Sequence, residues 1–436
     1  MIRAGTGQSD ISPRRPMFLW GYPHVERTST GIHDPLYATA LCLDDGANRI
    51  ISVAVDVLYV DAILVAACRE RIQTATGVPP HHVLISATHT HSGPVTVDRL
   101  LSRGDPVVDA TDPEYMAQLT QGIADAACQA FETLESAELA VTAATVDGVG
   151  CNRLSPDHAR DPEVGIVVVR RQDDRILMGV QLFYSMHPTV LHEDSKLVSS
   201  DFPHYARLGI TEKFPGARVV YHNGPCGNLS PRYHVKGQTF EEAERLGRRL
   251  GDFVTDAIGR LRDSDYARDL PVAGASAKVE LVPRCFASVV EAEAGLREAR
   301  ETYERLKRED AGHGPVRTAE CVVFGAEKMV TMARAQEDGR LAAVQEARRS
   351  AEVQVLRIGE TMLAGLSGEC FVEYALDLKA RAGRRVFVAS MANGELQGYI
   401  TTPEARGYEA NSSMFRPESG TIMVNTALDL IDGFGK

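Results

Sequence analysis

Two hydrophobic patterns alternate along the chain. The runs "RIISVAVDVLYV", "HHVLISATHT", "EVGIVVVRR", "RILMGVQLFYS", "ARVVYHN", "VQVLRIGETMLAGL" and "RRVFVASM" are rich in β-branched and aromatic residues, and several are apolar at consecutive rather than alternate positions. A strand without a polar face has no solvated face, so these read as strands covered on both sides. Between them, "DAILVAACRERIQTATG", "PEYMAQLTQGIADAACQAFETL" and "FEEAERLGRRLGDFVTDAIGRL" space their apolar residues by three and four, as one face of a helix does. The mixture predicts an α/β protein of layered mixed sheets flanked by helices.

One region departs from this rhythm. Residues 288–350, with "EAEAGLREARETYERLKRED" and "AEKMVTMARAQEDGRLAAVQEARR", are charged and helical in period. They predict an inserted helical hairpin, read as a solvated pair with a structural purpose. No repeat, low-complexity tract or long linker interrupts the chain, so residues 1–436 read as a single domain.

Composition narrows the function classes. A 436-residue chain with 44% hydrophobic residues can bury a large core. Its formal net charge of −12, with no Lys/Arg cluster beside aromatics, argues against binding nucleic acid or an anionic membrane surface through charge. The eight cysteines, Cys42, Cys68, Cys128 and Cys226 among them, form no Cys-x-x-Cys pair and read as reduced core thiols. The opening "MIRAGTGQSDISP" lacks the basic, apolar and small-residue order of a leader, and no apolar stretch reaches about 18 residues, so a cytoplasmic protein without stable membrane association is expected.

The candidate chemistry gathers where strand patterns end, as ligand sites of α/β proteins do. In "LISATHTHSGP", strand alternation would send His89 and His91 to one face, suggesting a metal or proton-transfer site as against a surface pair in a turn. His187 ends "LMGVQLFYS". In "YHNGPCGNLSPRY", Gly224, Gly227 and Ser230 form a tight loop whose amides could face an anion. Glu369 in "AGLSGECF" opens a helix pattern. His89, His187 and Glu369 are chemically sufficient for a mononuclear zinc site with a position left for water. There is no His-Glu-x-x-His, no Gly-x-Ser-x-Gly elbow and no glycine-rich phosphate loop with Lys-Ser/Thr, and the first cluster lacks the Asp-His continuation of metallo-β-lactamase-like hydrolases.

Taken together, "GTGQSDISP", "GYPHVERTSTGIHDPLYATAL", "SATHTHSGP", "CNRLSP", "SMHPTVL" with "SSD", "NGPCGNLSP", "SGE" and "GYITTPEARGYEANSSMF" resemble, in order, the catalytic domain of the neutral/alkaline (non-lysosomal) ceramidase family. These are zinc-dependent amidases that hydrolyse an N-acyl bond. The resemblance implies Zn2+ ligands at His89, His187, Glu369 and Tyr399, and site roles for Arg153, for Tyr408 and for Ser230 as nucleophile or substrate contact. Gly227-Asn228 stands where the family has Gly-Asp. The chain ends soon after "FRPESGTIMVNTALDLI", so no carboxy-terminal immunoglobulin-like domain is expected.

The resulting expectation is a zinc amidohydrolase acting on a soluble, small-molecule N-acyl amide. His91 would pass a proton to the leaving amine, and Tyr408 or the glycine-rich amides near Ser230 would stabilise the oxyanion. Two rivals stand beside it. One is a serine hydrolase using Ser230 with His91 or His187 as base; the other is a non-catalytic, zinc-stabilised protein with a closed site. A homo-oligomer is compatible with the sequence.

Overall fold

The consecutive apolar runs are indeed strands with both faces covered. In the computed structural model, which describes residues 1–22, 25–102 and 107–435, eight strands form one mixed sheet. Their order is Arg218–Asn223, Leu177–Tyr184, Glu163–Arg171, Glu135–Thr145, Arg3–Asp10, Tyr37–Asp44, Arg49–Val55 and Val83–Ala87. The pair at each edge is parallel and the pairs between are antiparallel. A second sheet holds Val272–Glu280, Ser350–Ile358, Thr361–Leu366 and Val386–Ala389. Pro23 and His24 of the "GYPHVERTSTG" stretch lie outside the described residues.

Side-chain alternation sorts each strand between two cores. Ile51, Val53 and Val55 join Ile166 and Val168 in a core shared with the helices Ala62–Thr76, Pro113–Glu132, Phe202–Lys213 and Phe240–Gly259. Their neighbours Ile50, Ala54, Val167 and Val169 meet Leu356, Leu363 and Phe387 of the second sheet. The outer face of that sheet, with Val353, Val355 and Val388, packs on the helices Val372–Arg381 and Glu418–Gly433. The result is a four-layer stack of helices, sheet, sheet and helices, which explains why so many strands lack a polar face.

The 288–350 region holds three helices rather than two: Val289–Arg308, His313–Glu337 and Arg340–Arg348. Ser288 caps the first through a capping box with Glu291. The first two pack on each other through Ala292, Val330 and Ala333. Leu296, Lys328 and Val330 on their inner side line a cavity, so the pair is not solvated all round. All eight cysteines are free thiols; five are buried, but Cys128 and Cys321 are half-buried and Cys285 is exposed, so the core-thiol reading holds for only some of them. No helix among the described residues is long and apolar enough to cross a membrane.

Candidate metal centre

Strand alternation does not explain the His-x-His pair. The strand stops at Ala87, and His89 sits in the left-handed region at φ +70°, so the chain has already turned when it presents its imidazoles. The rings nevertheless converge, with centroids of His89 and His91 5.0 Å apart at 90° and those of His89 and His187 4.7 Å apart. Loop hydrogen bonds fix this conformation. Thr88 Oγ1 donates to Asp56, whose carboxylate also takes both amino groups of Arg207 at 2.9 and 2.8 Å, and Asn223 Nδ2 donates to the Thr88 carbonyl.

Each imidazole is held by its Nδ1. His89 donates to the Leu58 carbonyl at 2.9 Å, His187 to the Cys226 carbonyl at 2.6 Å and His91 to the Gly21 carbonyl at 3.1 Å. A carbonyl can only accept, so these Nδ1 atoms carry the hydrogens and, in the neutral rings, each Nε2 presents a lone pair. Gly21 is required for this grip: at φ +130° it is left-handed, and a Cβ there would fall 2.5 Å from His91 Nδ1. Burial, the largest effect, pushes His187 down to about 4; burial and the two neighbouring imidazoles push His91 well below its usual value. His91 Nε2 is buried without a hydrogen-bond partner.

The other face of the group is Glu369. Its Oε2 lies 3.4 Å from His89 Nε2 and 3.6 Å from His187 Nε2, and the two Nε2 atoms are 3.1 Å apart. Two lone pairs and a carboxylate oxygen so close together repel one another unless a cation lies among them. With metal–donor bonds of about 2.0–2.2 Å, the edge of a tetrahedral zinc site is roughly 3.3–3.6 Å, close to the separations of these three atoms. One ring nitrogen each from His89, His91 and His187 also lies within 4.8 Å of the others, so these three form a second group able to hold a metal.

Glu369 and Tyr399 are register partners in a short parallel pair of strands, Glu369–Cys370 beside Tyr399–Ile400. That pairing sets the phenol beside the carboxylate across about thirty residues of sequence. Burial, then Glu369, holds the Tyr399 phenol well above its usual value, and Arg153 lies over its ring at 5.4 Å. Burial disfavours the charged Glu369 carboxyl, and Arg99 nearby favours it. Tyr59 donates to Glu369 Oε1, and Arg99 donates to Tyr59 at 2.8 Å.

The other sequence-selected residues sit around this centre. Arg153 is ion-paired with Glu409 at 2.5 Å and donates to the Gly227 carbonyl at 2.6 Å. Tyr408 lines the cavity with its ring 6.1 Å from Tyr399 and its hydroxyl on Lys328. Ser230 is buried on the strand beside Cys151–Asn152, its Oγ accepting from Arg232 N at 3.3 Å, and it does not line the cavity. The glycine-rich loop does not offer an anion site: Gly224 N donates to Tyr184 O at 3.0 Å and Gly227 N to Cys370 O at 2.9 Å. Those amides are already satisfied, and the loop serves instead to place the Cys226 carbonyl on His187. A Cβ at Gly227 would fall 2.9 Å from the Glu369 carbonyl, so glycine is needed for that close approach.

Three residues of this site escaped sequence reasoning: Tyr59, Arg99 and Lys328. Tyr59 follows the apolar run of the Arg49–Val55 strand, so the strand-end rule reaches it. Lys328 lies in the charged His313–Glu337 helix, where nothing in the pattern separates it from its neighbours; burial and then Arg99 lower its ammonium to about 7. The cavity it closes has a volume of about 460 Å³ and is bounded by His91, Glu369, Tyr399 and Tyr408 on the sheet side.

The chain is similar to known proteins in sequence and in fold. A sequence model described as neutral/alkaline non-lysosomal ceramidase, N-terminal, matches residues 2–223. A neutral ceramidase of Drosophila melanogaster is 25% identical over 228 residues, covering 49% of this chain and 32% of that protein. A neutral ceramidase of Pseudomonas aeruginosa is 23% identical over 253 residues, covering 54% of this chain and 38% of that protein. The chain thus matches about a third of the length of these curated relatives. The crystal structure of the Pseudomonas aeruginosa neutral ceramidase superposes with a TM-score of 0.77 at 19% identity, over 99% of this chain and 74% of that one. A structure described as ceramidase complexed with C2 gives a TM-score of 0.76 at 16% identity, over 99% of this chain and 75% of that one. At these identities the likeness establishes the fold.

Proposed function

The chain belongs to the neutral/alkaline non-lysosomal ceramidase family, and from that premise we propose that it is a zinc-dependent hydrolase cleaving the amide bond of an N-acyl compound. The observation that carries the proposal is the trio of buried donors, two Nε2 atoms and one carboxylate oxygen, 3.1–3.6 Å apart with each Nδ1 anchored on a carbonyl. His89, His187 and Glu369 would hold the ion, with Tyr399 as fourth ligand beside Glu369. A bound zinc supplies the Lewis acidity that polarises an acyl carbonyl and makes hydroxide available near neutral pH.

The chain's own residues do the rest. His91, its Nδ1 fixed by Gly21 and its Nε2 unpartnered, offers the Nε2 lone pair to take a proton from the attacking water and would then pass it to the departing amine. Tyr408, reached by Lys328, presents an O–H at the cavity wall that donates to the developing oxyanion. Tyr59 fixes Glu369, and Arg153 fixes Tyr399, so the ligands are oriented before substrate arrives. A serine mechanism receives no comparable support, because the Ser230 hydroxyl accepts from Arg232 N, and no imidazole among the described residues bonds to it.

The test is a panel of N-acyl amines assayed for released amine on zinc-loaded and chelated protein. Turnover abolished by chelation and restored by zinc supports the proposal. Turnover indifferent to chelation overturns it.

A further inference from the structure

The cations on the cavity wall differ in how closely they are paired. Arg300 pairs with Glu327 and Arg334 with Glu293, each at 2.7 Å, and these arginine side chains are 58% and 61% exposed. They are neutralised at the solvent side. Arg99 and Lys328 are different. The Arg99 side chain is 12% exposed and its nearest carboxylate is Glu369 at 3.9 Å, already turned toward His89 and His187. Its Nε is buried without a hydrogen-bond partner. Lys328 donates to the Tyr408 hydroxyl and forms no ion pair with a carboxylate among the described residues.

Despite burial, Tyr59, Glu369 and Glu395 keep the Arg99 guanidinium charged, so the cost of two desolvated cations in one pocket falls on Lys328, whose ammonium burial and then Arg99 lower. An anion placed there removes it, through charge-assisted hydrogen bonds to groups already aimed inward. Trp20, Leu58 and Leu296 supply apolar wall beside them, and about 460 Å³ suits a small ligand better than a long lipid chain. Resting on the reading that this cavity is the active site of an amide hydrolase, we propose that its substrate is an N-acyl compound bearing a carboxylate, which Lys328 and Arg99 bind. The helical region 288–350 is then part of the substrate site, since it delivers Lys328.

Matched substrates test this: an N-acylglycine against the N-acylethanolamine of the same short acyl chain, which replaces the carboxylate by a hydroxymethyl group. Wild-type protein is expected to favour the anionic member by roughly 10–100-fold in kcat/KM, carried by KM, the worth of a hydrogen bond to a charged group. Lys328→Met, which keeps the aliphatic stem, should erase most of that preference, and Lys328→Arg should retain it. Equal or better turnover of the neutral member, or an unchanged preference in Lys328→Met, overturns the proposal. Calorimetric binding of the N-acylglycine to metal-free protein separates the two readings. If no amide is cleaved but binding is present in wild type and lost in Lys328→Met, hydrolysis fails and the carboxylate site stands; no binding to wild type refutes the carboxylate site.

Discussion

His89 and His91 are two residues apart but differ in what surrounds them. His89 Nε2 faces His187 and Glu369 at 3.1 and 3.4 Å, whereas His91 Nε2 has no partner and its ring stands 5.6 Å from that of His187. Replacing His89 by Ala is therefore expected to remove metal and activity together. His91→Ala should keep its zinc and lose roughly 10²–10⁴-fold in turnover, the usual worth of a positioned acid or base. Zinc content and rate measured on the same preparations decide between the roles; a metal-free His91→Ala protein would make His91 a ligand. On the same grounds His187→Ala and Glu369→Ala should each strip most of the metal, by elemental analysis, because each removes one corner of the donor face.

At the scale of elements, the loop Gly224–Ser230 and the helix Val372–Arg381 are joined through one side chain. Asn228 accepts from Val372 N at 3.0 Å and donates to both oxygens of Glu373, at 3.1 and 2.8 Å. This accounts for Asn where the resemblance leads one to expect Asp: a carboxylate could still cap the helix, but it would face Glu373 with no hydrogen to offer. Asn228→Asp is expected to destabilise the protein by about 1–3 kcal/mol, the cost of replacing a buried donor by a repelling acceptor. Adding Glu373→Gln should recover most of the loss. Denaturant midpoints of the single and double variants measure it, and additive losses would show that the two side chains do not interact.

For the whole molecule, the contact between the two sheets is one place where stability depends on pH. His222 lies there fully buried, its Nδ1 2.7 Å from Ser86 Oγ and its Nε2 2.9 Å from Gln181, and burial pushes it down to about 3. The unfolded chain takes up that proton near the ordinary histidine pKa while the folded protein does not, so the stabilisation is intact above about 6.5 and is lost as pH falls toward the folded value. His222→Gln is expected to lower the slope of unfolding free energy against pH between about 6 and 4 by up to about 1.4 kcal/mol per pH unit. Chemical denaturation of both proteins across that range checks it. Equal slopes would mean that His222 titrates alike folded and unfolded.

The hydrophobic pattern by itself determined the layered α/β class, because a strand that is apolar at every position must be covered twice, and Ile50 to Val55 divide between two cores as that requires. It also marked the strand ends at which His187 and Glu369 emerge, since apolar runs stop where backbone leaves the sheet. The resemblance, a matter of motifs rather than periodicity, put Tyr399 beside them. What only the tertiary structure decided is convergence. The turn at His89, at φ +70°, is held by contacts to Asp56 and Asn223 that lie far along the chain from it. The satisfied amides around Gly227 depend on a carbonyl at Cys370, and the place of Lys328 in the cavity depends on how a charged helix packs. Such choices rest on non-local hydrogen bonds and desolvation, which leave no period in the sequence; a lysine that meets water and one that closes a cavity read the same in it.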